Sequence, residues 1–261
     1  MNLLVDHLQD PKNVILIAVA FQYLFFAVFL FSQRKGRFIS NNLFAAFMLF
    51  NGWVLVGWFL IDFKTVLLQY PYPILISENS IYFLIPPLFF LYVISLTYKG
   101  FEFKKIHLIH MIPFLIDFIH LTVRYFSKGS VLVSNLTDYQ YFFSSGEQLI
   151  RDIILNVQFI GYLTASLFVI KMYRSRISSA FSSIKKISLS WLKTIIICML
   201  TIRVIDIANN YIFQLTGFSG HFLTFSLLIS QYVLAIIVIY KGPRQPVIFP
   251  ESGEDLSGRD L

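Results

Sequence analysis

Cys198 is the only cysteine in the 261 residues, so neither an intramolecular disulfide nor a cysteine-based metal cluster can hold this chain together. Charge is scarce as well. Asp, Glu, Lys and Arg make up 13% of the residues, about half the share typical of soluble proteins. No cleavable leader is evident, because the residues before Asn13 are short, mixed in charge and lack a small-residue cleavage site after an apolar stretch. The chain also lacks a GxSxG nucleophile turn, a recognisable pair of catalytic aspartates and an HExxH zinc helix. His107 and His110 form an H-x-x-H step, but no Glu or second carboxylate stands near them to complete a metal site. The chain reads as a non-enzyme, with no catalytic residue, metal or cofactor expected.

What is abundant is apolar surface: 57% hydrophobic residues, 18% aromatic residues and a mean hydropathy of +0.70. A soluble protein of this size needs more polar surface, whereas a membrane protein can present apolar side chains to lipid. Apolar runs occupy residues 13–31, 41–61, 80–98, 106–126, 153–173, 191–213 and 221–240. Each is close to the roughly 20 residues that carry a helix across a bilayer core of about 30 Å. The runs lack the alternation of a membrane barrel and are about twice as long as its strands need to be. The expected fold is an all-α integral membrane protein, a seven-transmembrane-helix bundle held by helix packing alone. Pro86 and Pro87 fall well inside the third run and predict a kink there, packed against neighbouring helices.

Orientation follows from the basic residues. Of the 21 Lys and Arg, 14 fall in the connections after the first, third, fifth and seventh runs, among them Arg34, Lys35, Lys104, Arg174, Lys186 and Lys241. The alternate connections hold only Lys12, Lys64, Lys128 and Arg151. By the positive-inside rule this puts the N-terminus out and the C-terminus in, within the cytoplasmic (inner) membrane. The net charge of +7 then reflects topology and contact with anionic lipid, not a nucleic-acid footprint. Residues 1–240 form the membrane domain, and 241–261 are a polar cytoplasmic tail too short to fold alone. No internal repeat is apparent, which argues against an inverted-repeat transporter.

Three segments carry a family resemblance. Residues 239–249, IYKGPRQPVIF, resemble the helix end and RQPxIF signature of the membrane-anchored AraC-type transcriptional regulators common in Bacteroidetes. Residues 85–97, IPPLFFLYVISLT, are similar to a third-helix segment of that family, with Ile94 standing where a basic residue is expected. Residues 107–118, HLIHMIPFLIDF, resemble its Leu-His-x-x-Pro-Phe-Leu pattern. Order and spacing agree over residues 1 to about 250. The resemblance implies a membrane sensor module whose helix-turn-helix output is truncated, lost or supplied by another chain. No direct nucleic-acid binding is expected of this chain. The implied partners are the lipid bilayer, an outer-side ligand, and either a second copy of the chain or a separate cytoplasmic output protein.

The intramembrane polar residues can be read without that family. An ionisable group mid-helix costs about 2.5 to 3.5 kcal/mol on insertion scales, so it usually faces a partner or a wet cavity. The fourth run places His110, Asp117, His120 and Arg124 on one helical face. The sixth carries Arg203 and Asp206 at i,i+3, close enough to pair, with Asn209 and Asn210 a turn further on. Counting about 1.5 Å per residue from each helix start puts Asp117 and His120 level with Arg203 and Asp206. The expectation is a polar core or ligand pocket in the outer half of the bundle, built from Asp117, His120, Arg203, Asp206, Asn209 and Asn210. The alternative for these residues is a structural ion pair that glues helices together. Asp62, Glu78, Asp152 and His221 fall at outer helix ends, where charges commonly just solvate the interface.

After the seventh run, Gly242 and Pro243 end the helix. Arg244, Gln245 and Pro246 lead into Val247, Ile248 and Phe249, an apolar strap held extended between two prolines. This is the expected exit for a signal. A sensory module is the favoured function; a small-solute transporter or channel is the alternative, and uptake into vesicles distinguishes them. A retinal photosensor is set aside, because the seventh run contains no lysine for a Schiff base.

Overall fold

Uninterrupted apolar sequence leaves the backbone only itself to bond with, and the chain folds into helices. The computed structural model describes residues 10–33, 38–67, 79–98, 100–127, 145–180 and 189–216, and positions 229, 230, 233, 236, 237 and 240. No strand occurs among the described residues. Helix α1 spans Pro11–Ser32, α2 Phe38–Leu67, α3 Ile85–Thr97, α4 Ile112–Ser127, α5 Ser145–Ala180 and α6 Ser190–Thr216. The six described positions between 229 and 240 are helical too. The rest of the run at 221–240 lies outside the described residues, as do Glu78, His221 and all of 241–261.

The first six apolar runs all fall on helices. Among the described residues, five segments are long and apolar enough to cross a membrane: Asn13–Ser32, Phe38–Phe59, Asn79–Thr97, Lys105–Arg124 and Gly146–Ile177. The chain is therefore an all-helical membrane protein. Helix α6, which carries Arg203, Asp206, Asn209 and Asn210, is not one of the five.

Helices pack in series, α1 on α2, α2 on α3, α3 on α5 and α5 on α6. On α1, Leu16, Val19, Tyr23, Phe26 and Leu30 recur at helical spacing and are buried, while Phe21, Phe25 and Val28 are exposed. In a bilayer the second face meets lipid. Close approach of α1 to α2 depends on Gly52, where a Cβ would lie 2.9 Å from Leu24 Cγ and 3.2 Å from Tyr23 Cβ. Aromatic contacts continue the core into α3: the Phe44 and Tyr92 rings stack at 4.5 Å, and Phe47 and Phe89 meet at 5.1 Å.

The two prolines of the third run do not kink a continuous helix; they start one. A helical turn at 79–81 gives way to a tight turn at 82–84, and α3 begins at Ile85 with Pro86 and Pro87 in its first turn. There the missing N–H groups cost nothing, because first-turn N–H groups have no intrahelical acceptor. Pro113 acts similarly on the fourth run. Residues Lys105–Met111 wind as a 3₁₀ helix, and the α-helix begins only at Ile112.

A polar cavity at one end of the bundle

The break before α3 creates the first element of the site. In a continuous α-helix the Asn79 carbonyl would accept from Phe83 N–H and the Phe83 carbonyl from residue 87. Instead Phe83 N–H turns to the Ser80 carbonyl at 3.0 Å, and Pro87 has no N–H. Side chains from α5 replace both bonds. Arg151 Nη2 donates to the Asn79 carbonyl at 2.6 Å, and Gln158 Nε2 donates to the Phe83 carbonyl at 3.0 Å. The Arg151 guanidinium also lies over the Phe83 ring, 5.5 Å from its centre.

Arg151 is held from its other side by Asp117 of α4. Nε donates to Oδ1 at 2.8 Å and Nη2 reaches Oδ2 at 3.3 Å, while the Ser80 hydroxyl donates to Oδ2 at 2.8 Å. The carboxylate is buried and the guanidinium nearly so, which makes the pair short, bidentate and desolvated. Among the described residues, Asp117 is one of the polar ties between α4 with its 3₁₀ lead-in and α5. His110 Nδ1 lies 2.6 Å from the Tyr162 hydroxyl, and Arg124 forms an ion pair with Glu147. Residues 110, 117 and 124 are seven apart, so they share one face. Apart from Asp117 and Leu121, the α4 side chains whose burial is described are half-buried or exposed. Helix α4 is thus joined to the bundle chiefly by polar contacts.

Beside Arg151 a cavity of about 510 Å³ opens among α1, α2, the segment leading into α3, α5 and α6. Its volume lies within the range of small-molecule pockets, about 300 to 1,000 Å³. Polar groups collect towards one end of the bundle: Asn79, Gln148, Arg151 and Asp152, with Asp206, Asn209 and Asn210 across from them. Further along the helices the wall turns apolar, with Phe47, Met48, Phe89, Phe159 and Met199. Arg203 Nη1 donates to Asp206 Oδ2 at 3.0 Å, and its guanidinium lies 5.2 Å from the Phe159 ring centre. Asp152 lies within electrostatic reach of Arg151 and Arg203 but forms no hydrogen bond or ion pair among the described residues. Among the described residues, Arg203 Nε and Asn156 Oδ1 are buried without a hydrogen-bond partner.

Of the six residues expected in a polar core, Arg203, Asp206, Asn209 and Asn210 all line this cavity. Arg203 and Asp206 pair along α6, as their spacing predicts. Asp117 does not meet them. It stands behind Arg151, outside the cavity wall, because the guanidinium offers two donors at close range. His120 is exposed and joins neither group. The expected meeting of Asp117 and His120 with Arg203 and Asp206 is corrected accordingly: residues of α5 stand between the two sets. The strap residues Gly242, Pro243, Arg244, Gln245, Pro246, Ile248 and Phe249 lie outside the described residues. His107 accepts the Lys104 N–H at 3.0 Å through Nδ1, so both histidines of the H-x-x-H step have protein partners.

Two residues that sequence reasoning treated as flanking charges, Arg151 and Asp152, prove central. The signal for them was the S-x-x-E pattern at 144–147, a helix-start signature that extends the fifth helix well before residue 153. Fold and site together define a helical membrane protein with a polar, ligand-sized cavity. No family model matches the chain, and neither a curated protein nor a solved structure gives a significant match.

Proposed function

We propose that this chain is a sensory module of the cytoplasmic membrane, a seven-helix bundle with its N-terminus out and its C-terminus in, that binds a small ligand in the cavity. The carrying observation is the cavity itself, polar at one end, apolar within and lined by five helices. On the orientation given by the 14-to-4 distribution of basic residues, its polar end opens away from the cytoplasm. Ligand binding there alters the packing of α5 and α6, and the change reaches the cytoplasm along the seventh helix into residues 242–249. The resemblance of residues 239–249 to the AraC-type membrane regulators supports this direction of output. A separate cytoplasmic output protein or a fused helix-turn-helix domain receives the signal.

The test is to fuse a helix-turn-helix reporter domain after Leu261 and compare the parent with Arg203→Ala and Phe249→Ala. Both substitutions are expected to change the reporter's output while the protein remains folded and inserted. If neither does, the sensory reading loses its mechanism. Solute uptake into vesicles by the unfused protein would favour transport instead.

A further inference from the structure

Resting on the cavity as a ligand site, we propose that its ligand is a small organic amine, protonated at neutral pH, carried on an apolar body of one ring or a short chain. The first argument is charge. Arg151 is neutralised by Asp117 at 2.8 Å and Arg203 by Asp206 at 3.0 Å, which leaves Asp152 as the cavity carboxylate without an ion pair among the described residues. Asp152 lies within electrostatic reach of both arginines, but each already holds another carboxylate, so the three carboxylates Asp117, Asp152 and Asp206 face only two guanidinium groups and a cation brought to Asp152 is favoured over an anion. A neutral ligand leaves that imbalance in place.

The second argument is the arrangement of acceptors. Asn156 is four residues beyond Asp152 on α5, hence on the same face one turn along. Its Oδ1 is buried with no partner among the described residues. An ammonium group has three donors and can serve both oxygens; a hydroxyl has one.

The third argument is shape. From Asp152 to Phe159, and from Asp206 to Met199, is two helical turns, about 10 Å. Over that length the wall passes from charged and amide groups to Phe89, Phe159 and Met199. Head and body of the ligand are thereby assigned opposite ends of the cavity.

To test this, the full chain in nanodiscs is titrated calorimetrically with three probes that differ at the head: 2-phenylethylamine, 2-phenylethanol and 3-phenylpropionate. The amine is expected to bind at least tenfold more tightly than either of the others. Asp152→Asn should reduce it to the level of the alcohol, and Asp152→Glu should restore the preference. Unchanged melting of both variants shows that the wall is intact. If amine and alcohol bind equally and Asp152→Asn changes nothing, the amine assignment is overturned. In that case, loss of all binding in Met199→Trp, which fills the cavity, keeps the ligand site itself. Should no probe bind, the amine proposal fails. The cavity reading then falls with it only if Met199→Trp also leaves the reporter fusion unaffected.

Discussion

Arg151 Nη2 donates to the Asn79 carbonyl at 2.6 Å, so a side chain of α5 completes the backbone bonding that the break before α3 interrupts. The same guanidinium holds Asp117 on α4, which makes Arg151 the meeting point of three segments. Since Arg151 also lines the cavity, the wall of the site and the joint between helices are one structure.

Removing either partner of that pair should destabilise the protein strongly. Breaking a buried ion pair from one side costs about 3 to 5 kcal/mol, because the remaining charge stays desolvated. We expect Asp117→Ala and Arg151→Met each to show a loss of that order in reversible unfolding from mixed micelles. The double variant should lose clearly less than the two losses added. Strict additivity would mean that the pair is not coupled.

How much of this was legible in the sequence differs from element to element. The helices were legible because lipid forces apolar runs of about 20 residues to fold that way. Pro86 and Pro87 marked the interruption of the third run, although the geometry proved to be a fresh helix start. The Arg203–Asp206 pair was legible because i,i+3 neighbours meet whatever the tertiary structure does. The partner of Asp117 was not. Hydropathy locates the apolar part of a helix and is blind to its polar ends, so Arg151 and Asp152 fell outside the run at 153–173 although α5 begins at Ser145. Equal depth suggested Arg203 as the partner, but depth fixes only one coordinate and leaves helix neighbours undetermined.

Gly52→Ala should test the α1–α2 contact. A methyl group there meets Leu24 Cγ and Cδ2 at 2.9 Å and Tyr23 Cβ at 3.2 Å, and Cγ and Cβ are not free chain ends. Overpacking typically costs about 1 to 3 kcal/mol, which outweighs the gain of about 1 kcal/mol in helix propensity. A lowered melting temperature in detergent is the expected result. An unchanged or raised one would show that the two helices can separate freely.

Gln158→Leu removes the donor to the Phe83 carbonyl without changing the length of the side chain much. Leaving a buried acceptor unsatisfied costs about 1 to 3 kcal/mol. A lowered midpoint in reversible unfolding from mixed micelles is the expected result, and an unchanged one would show that the Phe83 carbonyl does not depend on Gln158.

Reporter fusions address orientation directly. A phosphatase fused near Thr137 should be active and one fused after Lys186 inactive, with the reverse pattern for a cytoplasm-dependent fluorescent reporter. Activity of the phosphatase at Lys186 would reverse the reading of the basic residues.

The two ion pairs at the cavity offer a comparison that bears on whether it is wet. Asp117 and Arg151 are nearly withdrawn from solvent, whereas Arg203 and Asp206 are exposed by 21% and 34% along their side chains. If water fills the cavity, the second pair is screened and should behave as a surface i,i+3 pair. Its coupling is then expected at about 0.5 kcal/mol in a double-variant cycle of Arg203→Met and Asp206→Asn. The first pair, more withdrawn from solvent, should couple several times more strongly. Raising the salt concentration should weaken only the pair on α6, because screening acts where ions can approach. A strong, salt-insensitive coupling between Arg203 and Asp206 would mean that the cavity is closed to water, and with it to a polar ligand entering from solution.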